Sequence, residues 1–479
     1  MEILIVTPQV APYSLCDGVG EVSRALPRAL HRLGHSVTVL SPLYRGVDPS
    51  RFSLARRLNP LELELGGQRY TCEVYDGKTA SGVGLLFLGS RELFAETDPG
   101  ESSDEVLLAL QTGLLCRAAI EIAVEREPAF DLIQAHEQMA ALALVWAAQR
   151  LPRLRRILLA HDLLRQGRLG QQQADRLGLS QEQRQRLRIG EELCLLKGGI
   201  LAAHRVASAS PAAFGGLGSE GDLAAVPDLL GWTGEKLAII ENGLDTAVWN
   251  PLTDVHLRSH FDPINPAGKA NCKAALQYAL ALPVRHDVPL ILHIGEPCTD
   301  GAGELVASCA AALLSNDVQL LVCRQDSVVP VGLSQLAQSF PDRFKLLVSQ
   351  QLAVIHRAIA ASDLLLLSPE VNPYRIWQMC AHRYGSLPIG RAAGSVADTV
   401  VDCDSSLHTG SGFLFQEPEL DEMVSATRRA VGAFYRRQAF EQLRAKAMRI
   451  DHSWERAARR YHYLYQGLVG TERDVDGLF

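Results

Sequence analysis

The chain has no Lys/Arg-rich run, and its 479 residues carry a formal charge of -7. That leaves no basic field to hold nucleic acid, so none is expected as a partner. Ten cysteines are present without a single C-x-x-C. Cys16, Cys72, Cys116, Cys194 and Cys403 are far apart, whereas a metal site wants Cys and His at short spacing. Their scatter reads as reduced, mostly buried thiols of a cytoplasmic protein, and neither a metal nor a cofactor is expected. The start, Met1–Val6, lacks a basic leader and turns polar at Thr7-Pro8-Gln9, which suits a first strand better than a signal peptide. No window approaches the ~20 apolar residues of a membrane span, so no membrane is expected. There is no internal repeat of 20–50 residues, and low complexity is confined to Gln171-Gln172-Gln173.

What is present is a strand–helix rhythm. Hydrophobic residues at 47% and charged residues at 21% are ordinary for a globular protein, and the length calls for two large domains. Ile3–Thr7 is a short apolar run of the kind buried on both faces. Val19–Leu33 has helical spacing and is closed by Gly34, and Ser36–Leu40 is the next strand. Such a βαβ unit implies a parallel sheet with a right-handed crossover. Further strands are predicted at Gly84–Leu88, Asp131–Gln134, Arg156–Ala160 and Leu237–Ile240. The second half repeats the pattern with Pro289–Ile294, Val318–Val322, Phe344–Val348, Asp363–Leu367 and Leu387–Ile389, and a helix at Gly303–Leu314. Residues 250–287 break the rhythm with Pro251, Pro263 and Pro266, and read as a connector with an entry helix, Gly268–Leu280. The architecture expected is α/β: two Rossmann-like parallel-sheet domains facing each other across a cleft, with ligands outside the carboxyl ends of the strands.

Several segments carry a resemblance. They are Met1–Pro8, Ala25-Leu26-Pro27, Asp131–Val145, Leu158–Gly170, Leu195–Gly199 and Ala203–Pro211. Asn242-Gly243-Leu244-Asp245 with Trp249-Asn250-Pro251, and His452–Ala458, continue the series. Together with the frame around Asn372–Gln378 they make the chain resemble the bacterial glycogen and plant starch synthases over roughly residues 1–470. The resemblance implies the GT-B type of glycosyltransferase fold. It implies an N-terminal, glucan-side domain at 1–245, a connector at 246–287 and a nucleotide-sugar-side domain at 288–450. Residues 451–479 would be a helix returning to the first domain, with a tail. The family transfers glucose from a nucleotide sugar to an α-glucan with retention, so the work is neutralising a leaving diphosphate and holding donor against acceptor.

The positions that do this work depart from the family pattern. Where the family reads Glu-Pro-Cys-Gly-Leu-Thr-Gln, this chain reads Asn372-Pro373-Tyr374-Arg375-Ile376-Trp377-Gln378, so Asn372 replaces the sugar-side carboxylate. Arg375 replaces a glycine and Trp377 a small hydroxyl residue. In the diphosphate loop Glu296 stands for the arginine and Gly301 for the lysine, and an anion there adds repulsion to the loss. In the N-terminal loop Leu15 stands for a lysine and Asp17 for a glycine. Gly18 and Gly20 still allow a tight turn before a helix, with weak anion binding as the alternative. His161 matches the histidine beside the transferred sugar, or is a hydrogen-bonded histidine kept for structure. His136 and Glu137 match the acceptor-side pair with a lengthened carboxylate, and a purely structural role for His136 is the alternative. Gly394 is similar to a glycine of the family's phosphate loop, and Arg391 before it would be a remnant cation of that site, or is a surface or structural arginine.

Losing these groups together predicts a glycogen-synthase-like protein that is catalytically impaired, a pseudoenzyme binding an α-glucan or a partner synthase. The alternative is an active retaining glycosyltransferase using an ADP-glucose-like donor, with Arg165, Arg375 and Arg391 as relocated cations. A nicotinamide oxidoreductase built on Gly18-Val19-Gly20 is disfavoured by the spacing from the first strand.

Overall fold

The computed structural model describes residues 1–14, 18–99, 104–163, 165–210, 229–295, 300–324, 329–349, 351–370, 372 and 374–473. Leu15, Asp17 and Glu296 lie outside them. The chain divides into two compact units, one of Met1–Gly243 with Trp454–Phe479, the other of Leu244–Ser453.

In the first unit the strands are β1 (Glu2–Val6), β2 (Ser36–Pro42), β3 (Ala55–Arg56), β4 (Leu61–Leu65), β5 (Gln68–Lys78), β6 (Gly84–Gly89), β7 (Leu132–His136) and β8 (Arg155–Leu159). A small separate sheet holds β9 (Arg168–Leu169), β10 (Arg188–Ile189) and β11 (Glu192–Cys194), and β12 (Arg205–Ser208) and β13 (Leu237–Ile239) complete the set. The main sheet runs β13-β12-β8-β7-β1-β2-β6-β5-β3, parallel from β13 to β6, with β5 antiparallel to β3, β4 and β6. Ile3, Leu4, Ile5 and Val6 are fully buried, as a strand covered on both faces requires. The helix Gly18–Arg32 follows β1 and ends at Gly34, whose φ of +88° lets its N–H close on the His31 carbonyl at 2.9 Å.

The antiparallel β3–β5 segment was not anticipated. Leu61-Glu62-Leu63-Glu64-Leu65 alternates, burying Leu63 and Leu65 and exposing both glutamates, which is the mark of a half-solvated strand. The helix Glu105–Glu125 corrects the expectation that no window is apolar enough to span a membrane. It is long and apolar enough by composition, and most of that window is buried within the unit. Asp104 caps it, its Oδ1 accepting from the N–H groups of Val106 and Leu107 at 2.9 and 3.2 Å. The helix Trp454–Arg473 packs beside Gly18–Arg32, joined by an Arg32–Glu455 ion pair and a 2.8 Å His35–His462 hydrogen bond.

The second unit is one parallel sheet. Its strands are β14 (Leu290–Gly295), β15 (Gln319–Arg324), β16 (Phe344–Val348), β17 (Leu364–Leu366), β18 (Leu387–Arg391) and β19 (Phe413–Phe415). Their order is β16-β15-β14-β17-β18-β19. Alternate residues feed two cores. Ile291, Leu320, Leu364 and Ile389 pack with Met423 and Phe434 on one face, while Leu292, Leu321 and Leu365 pack with Ile359 and Tyr384 on the other. Beneath the sheet the fully buried Asp363 accepts from Lys273 Nζ at 2.6 Å, an Arg444 guanidinium nitrogen at 2.7 Å and the Leu290 N–H at 3.0 Å. A buried carboxylate with three charge-assisted donors stays ionised, although burial alone would push its pKa up. Every described cysteine is buried and free, as the scattered spacing suggested.

Candidate functional site

In the first unit the carboxyl ends of the parallel strands bring Thr7, His136, Glu137, His161 and Ala209 to one edge of the sheet. His136 closes β7 and belongs to a buried polar chain. Tyr465 Oη donates to Gln134 Oε1 at 2.6 Å, and Gln134 Nε2 donates to His136 Nε2 at 2.8 Å. That leaves the imidazole proton on Nδ1, which donates to Ser23 Oγ at 2.9 Å. Ser23 passes the chain to Thr7 Oγ1 at 2.8 Å, and Thr7 donates to the Gln9 carbonyl at 2.9 Å. Burial, reinforced by His161, holds the His136 pKa down at about 3. Both ring nitrogens therefore serve the protein's own framework.

Glu137 follows with φ at +60°, a left-handed backbone that costs a non-glycine residue roughly 1–3 kcal/mol. Its carboxylate is buried and reaches across to β8, where Oε1 accepts from the His161 N–H at 2.8 Å and Oε2 from the Asp162 N–H at 3.4 Å. This carboxylate thus braces the turn that carries His161. His161 Nδ1 accepts from the Ala209 N–H at 2.9 Å, so the ring proton sits on Nε2. Burial brings its pKa to about 4, against a side-chain hydrogen bond with Asn242. A neutral imidazole can donate from Nε2 and cannot act as an acid near pH 7. Asn242 was read only as part of a framework block. Its place after β13, at the same edge as His161, is what marks it. Arg165 is exposed and pairs with Asp162 at 3.2 Å.

Gly18 and Gly20 lie inside the first turn of the helix Gly18–Arg32, not in a turn before it. The Gly20 carbonyl accepts from the Ala11 N–H at 3.0 Å, which ties that helix start to the segment after β1.

In the second unit the segment after β17 is organised by its own side chains. Asn372 Oδ1 accepts from the Tyr374 N–H at 2.9 Å, and its carbonyl accepts from the Arg375 N–H at 3.2 Å, an Asx turn. Arg375 is 5% exposed, and its Nη1 donates to the carbonyls of Ser368 at 3.0 Å and Glu370 at 2.9 Å. Gln378 is fully buried, with Nε2 donating to the Arg375 carbonyl at 3.1 Å. Trp377 meets Trp249 edge-on at 5.9 Å. Arg391 Nε donates to the Gln416 carbonyl at 3.1 Å, and its guanidinium stands 3.7 Å from Glu417. Gly394, with φ at +53°, opens the short helix Gly394–Thr399. Gly301, read as part of a loop, lies in the first turn of the helix Asp300–Leu313.

One cation escaped the sequence reading. Arg324 ends β15, is 4% exposed, and packs across Gly295, where an added Cβ would come within 3.0 Å of its Cγ. In sequence it is only the polar end of Leu-Leu-Val-Cys-Arg, a common way for a strand to stop. Among the described residues no group of His, Cys, Asp and Glu is placed to hold a metal ion.

Comparison with known proteins adds the following. Residues 2–216 match the family model described as the starch synthase catalytic domain. The chain is 32% identical to a glycogen synthase of Anaeromyxobacter sp. (strain Fw109-5), covering 98% of this chain and 100% of that protein. It is 29% identical to a rice soluble starch synthase over 96% of this chain and 64% of that one. Among solved structures, the catalytic domain of Arabidopsis thaliana starch synthase IV, bound to ADP and acarbose, aligns with a TM-score of 0.86. Its identity is 25%, over 98% of this chain and 99% of that domain. A sucrose-phosphate synthase from Thermosynechococcus elongatus shares the fold alone, at a TM-score of 0.60 and 14% identity.

Proposed function

The chain belongs to the glycogen and starch synthase family of glycosyltransferases, and from that premise we propose that it is a catalytically impaired member. In this reading it retains the family's shell to bind an α-glucan, or a partner protein of glucan metabolism. The observation that carries the proposal is where the cations of the second unit are used. Arg375 holds two main-chain carbonyls of its own loop from Nη1, and Arg391 donates from Nε to the Gln416 carbonyl with Glu417 3.7 Å from its guanidinium, so both cations are engaged at least in part within their own loops. Asn372 in place of a carboxylate, and Glu296 and Gly301 in place of two cations, point the same way. Each such loss removes a few kcal/mol of transition-state stabilisation, and together they lower the rate by orders of magnitude.

Nucleotide sugar and glucan remain the ligand classes to test, because the Arabidopsis starch synthase domain binds ADP and acarbose. The test is incubation of the purified protein with labelled ADP-glucose or UDP-glucose and glycogen. No incorporation above a heat-killed control is expected, and sustained transfer of labelled glucose would reject the impaired reading.

A second reading, an active transferase with a rearranged donor site, has one observation in its favour. Arg324 supplies a buried cation at the carboxyl edge of the second sheet, beside the end of β14. In that case a screen of nucleotide sugars gives a clear thermal shift that Arg324→Ala removes.

A further inference from the structure

The second unit holds a cavity of about 390 Å3 whose lining comes entirely from that unit. Its size falls within the roughly 300–1,000 Å3 of small-molecule sites. Arg383, in its wall, ends the helix Trp377–Arg383, which runs back from the end of β17 toward the start of β18. A crossover helix returns the chain to the amino edge of a parallel sheet, so the cavity lies opposite the edge where Arg324 ends β15. Leu244 and Met448, 2% and 1% exposed, form its floor, with Pro263 and Ile450 half-buried beside them. His452 is held in the wall by a buried neighbour. His382 donates from Nε2 to the Ser411 carbonyl at 2.9 Å, so its Nδ1 accepts from His452 Nε2 at 3.0 Å.

The two cations of the lining, Arg383 and Arg449, have no carboxylate within ion-pair distance among the described residues. Arg383 Nη2 donates to the neutral Asn250 Oδ1 at 2.8 Å and its Nε is buried, which leaves Nη1 without a hydrogen bond. Arg449 is exposed, and only its main chain is bonded, its N–H donating to the Lys446 carbonyl at 3.1 Å. Thr246 adds a hydroxyl that makes no hydrogen bond among the described residues. The acids nearby are occupied. Asp451, in the lining, accepts from the Ser453 N–H at 2.9 Å. Asp262, close enough to feel the Arg383 charge, accepts from the Ile264 and Asn265 N–H groups, both at 2.7 Å. Two helices end here, and a bare C-terminus would repel an anion. Their last carbonyls are instead met by the chain itself. Gly385, with φ at +65°, closes the first helix, so that Tyr384, Ser386 and Gly385 donate to Cys380, Ala381 and His382. After the helix Arg437–Ala447, the N–H groups of Met448, Arg449 and Ile450 donate to Arg444, Lys446 and Ala447.

We propose that this cavity binds a small organic phosphate monoester, with Arg383 Nη1, Arg449 and the Thr246 hydroxyl donating to the phosphate and the apolar floor taking the organic body. The site lies apart from Asn372 and Arg375, so its occupancy does not depend on whether the chain transfers glucose. The test is hydrogen–deuterium exchange of the full chain titrated with glycerol 3-phosphate, beside inorganic phosphate, glycerol and spermidine. Glycerol 3-phosphate should slow exchange at residues 244–249 and 446–453 at a lower concentration than inorganic phosphate, and glycerol and spermidine should leave both segments unchanged. Arg449→Ala, at an exposed position, should raise the concentration for half-protection at least tenfold, and Arg449→Lys should raise it less. Thermal unfolding checks that both variants stay folded. No protection of these segments by glycerol 3-phosphate, equal protection by glycerol, spermidine or inorganic phosphate, or a half-protection concentration unchanged in Arg449→Ala would overturn the proposal. So would protection by glycerol 3-phosphate confined to residues 367–378, which would put the phosphate at the opposite edge of the sheet.

Discussion

Replacing Arg375 with alanine separates the two readings of the donor side, because they assign its guanidinium different work. The side chain is 5% exposed and its Nη1 donates to the Ser368 and Glu370 carbonyls. Hydrogen bonds from a charged donor are worth roughly 1.5–3 kcal/mol each, and the carbonyls left behind are partly shielded from water. Set against the relief of desolvating a cation, a net loss of about 3 kcal/mol is expected. In a unit of this size that is a fall in Tm of roughly 6–12 °C. Arg375→Lys should recover only part of the loss, since the shorter side chain has to bring its ammonium to the place Nη1 holds between the two carbonyls. The assay is thermal unfolding of wild type and both variants, with and without ADP-glucose. The structural role requires the stability loss and requires that wild type show no ADP-glucose shift for the variant to remove. A stability loss under 1 kcal/mol together with abolition of a wild-type nucleotide-sugar shift would refute this reasoning and place Arg375 at the ligand.

Asp363→Asn should destabilise the second unit by about 3–5 kcal/mol in urea unfolding, because it strands Lys273 and Arg444 as buried cations. Burial opposes the Asp363 charge, yet Lys273 and Arg444 hold its pKa below the usual carboxylate range. Its contribution is therefore present above about pH 4 and lost as pH falls through the folded pKa, and the variant should lose that acid limb of the stability–pH curve. Lys269 gives the opposite signature. Burial lowers its pKa to about 7 while Nζ donates to the Ala360 and Tyr384 carbonyls at 3.1 and 2.8 Å. Between pH 7 and about 10 the unfolded chain binds the extra proton, so stability rises with pH by up to about 1.4 kcal/mol per unit, and Lys269→Met should flatten that rise. Tyr465→Phe removes the first link of the chain to His136, and should cost about 1 kcal/mol and shift the imidazole 15N resonances of His136. Unchanged 15N resonances would mean that Gln134 holds the ring without Tyr465.

Much of the scaffold was legible because burial on both faces leaves a plain trace. Ile3–Val6, Leu290–Ile294 and Leu364–Leu366 are apolar runs too short for helices, and each is a central parallel strand. Where one face is solvated the trace is fainter, and β3–β5 went unread for that reason. The helix Glu105–Glu125 was missed as a membrane-length segment because its polar residues, Gln111, Thr112 and Arg117, interrupt the run without exposing it.

At the site, residue identities were set by sequence and their chemistry was not. The neutral Asn372, the acidic Glu296 and the imidazole of His161 can all be read from the chain, since the presence or absence of a charge is a property of one position. Which imidazole nitrogen carries a proton is not such a property. For His161 it depends on the Ala209 N–H, and for His136 on Gln134, itself held by Tyr465, more than three hundred residues along the chain. The same holds for cations. Arg375 and Arg391 read in sequence as two cations of the second unit, and only the folded loops show the carbonyls to which their guanidinium groups donate. Sequence alone determined the family and the parallel strands, because those follow from local pattern and residue type. Tertiary structure decided which polar groups are already satisfied within the protein, because each hydrogen bond needs a partner that folding alone brings within 3 Å.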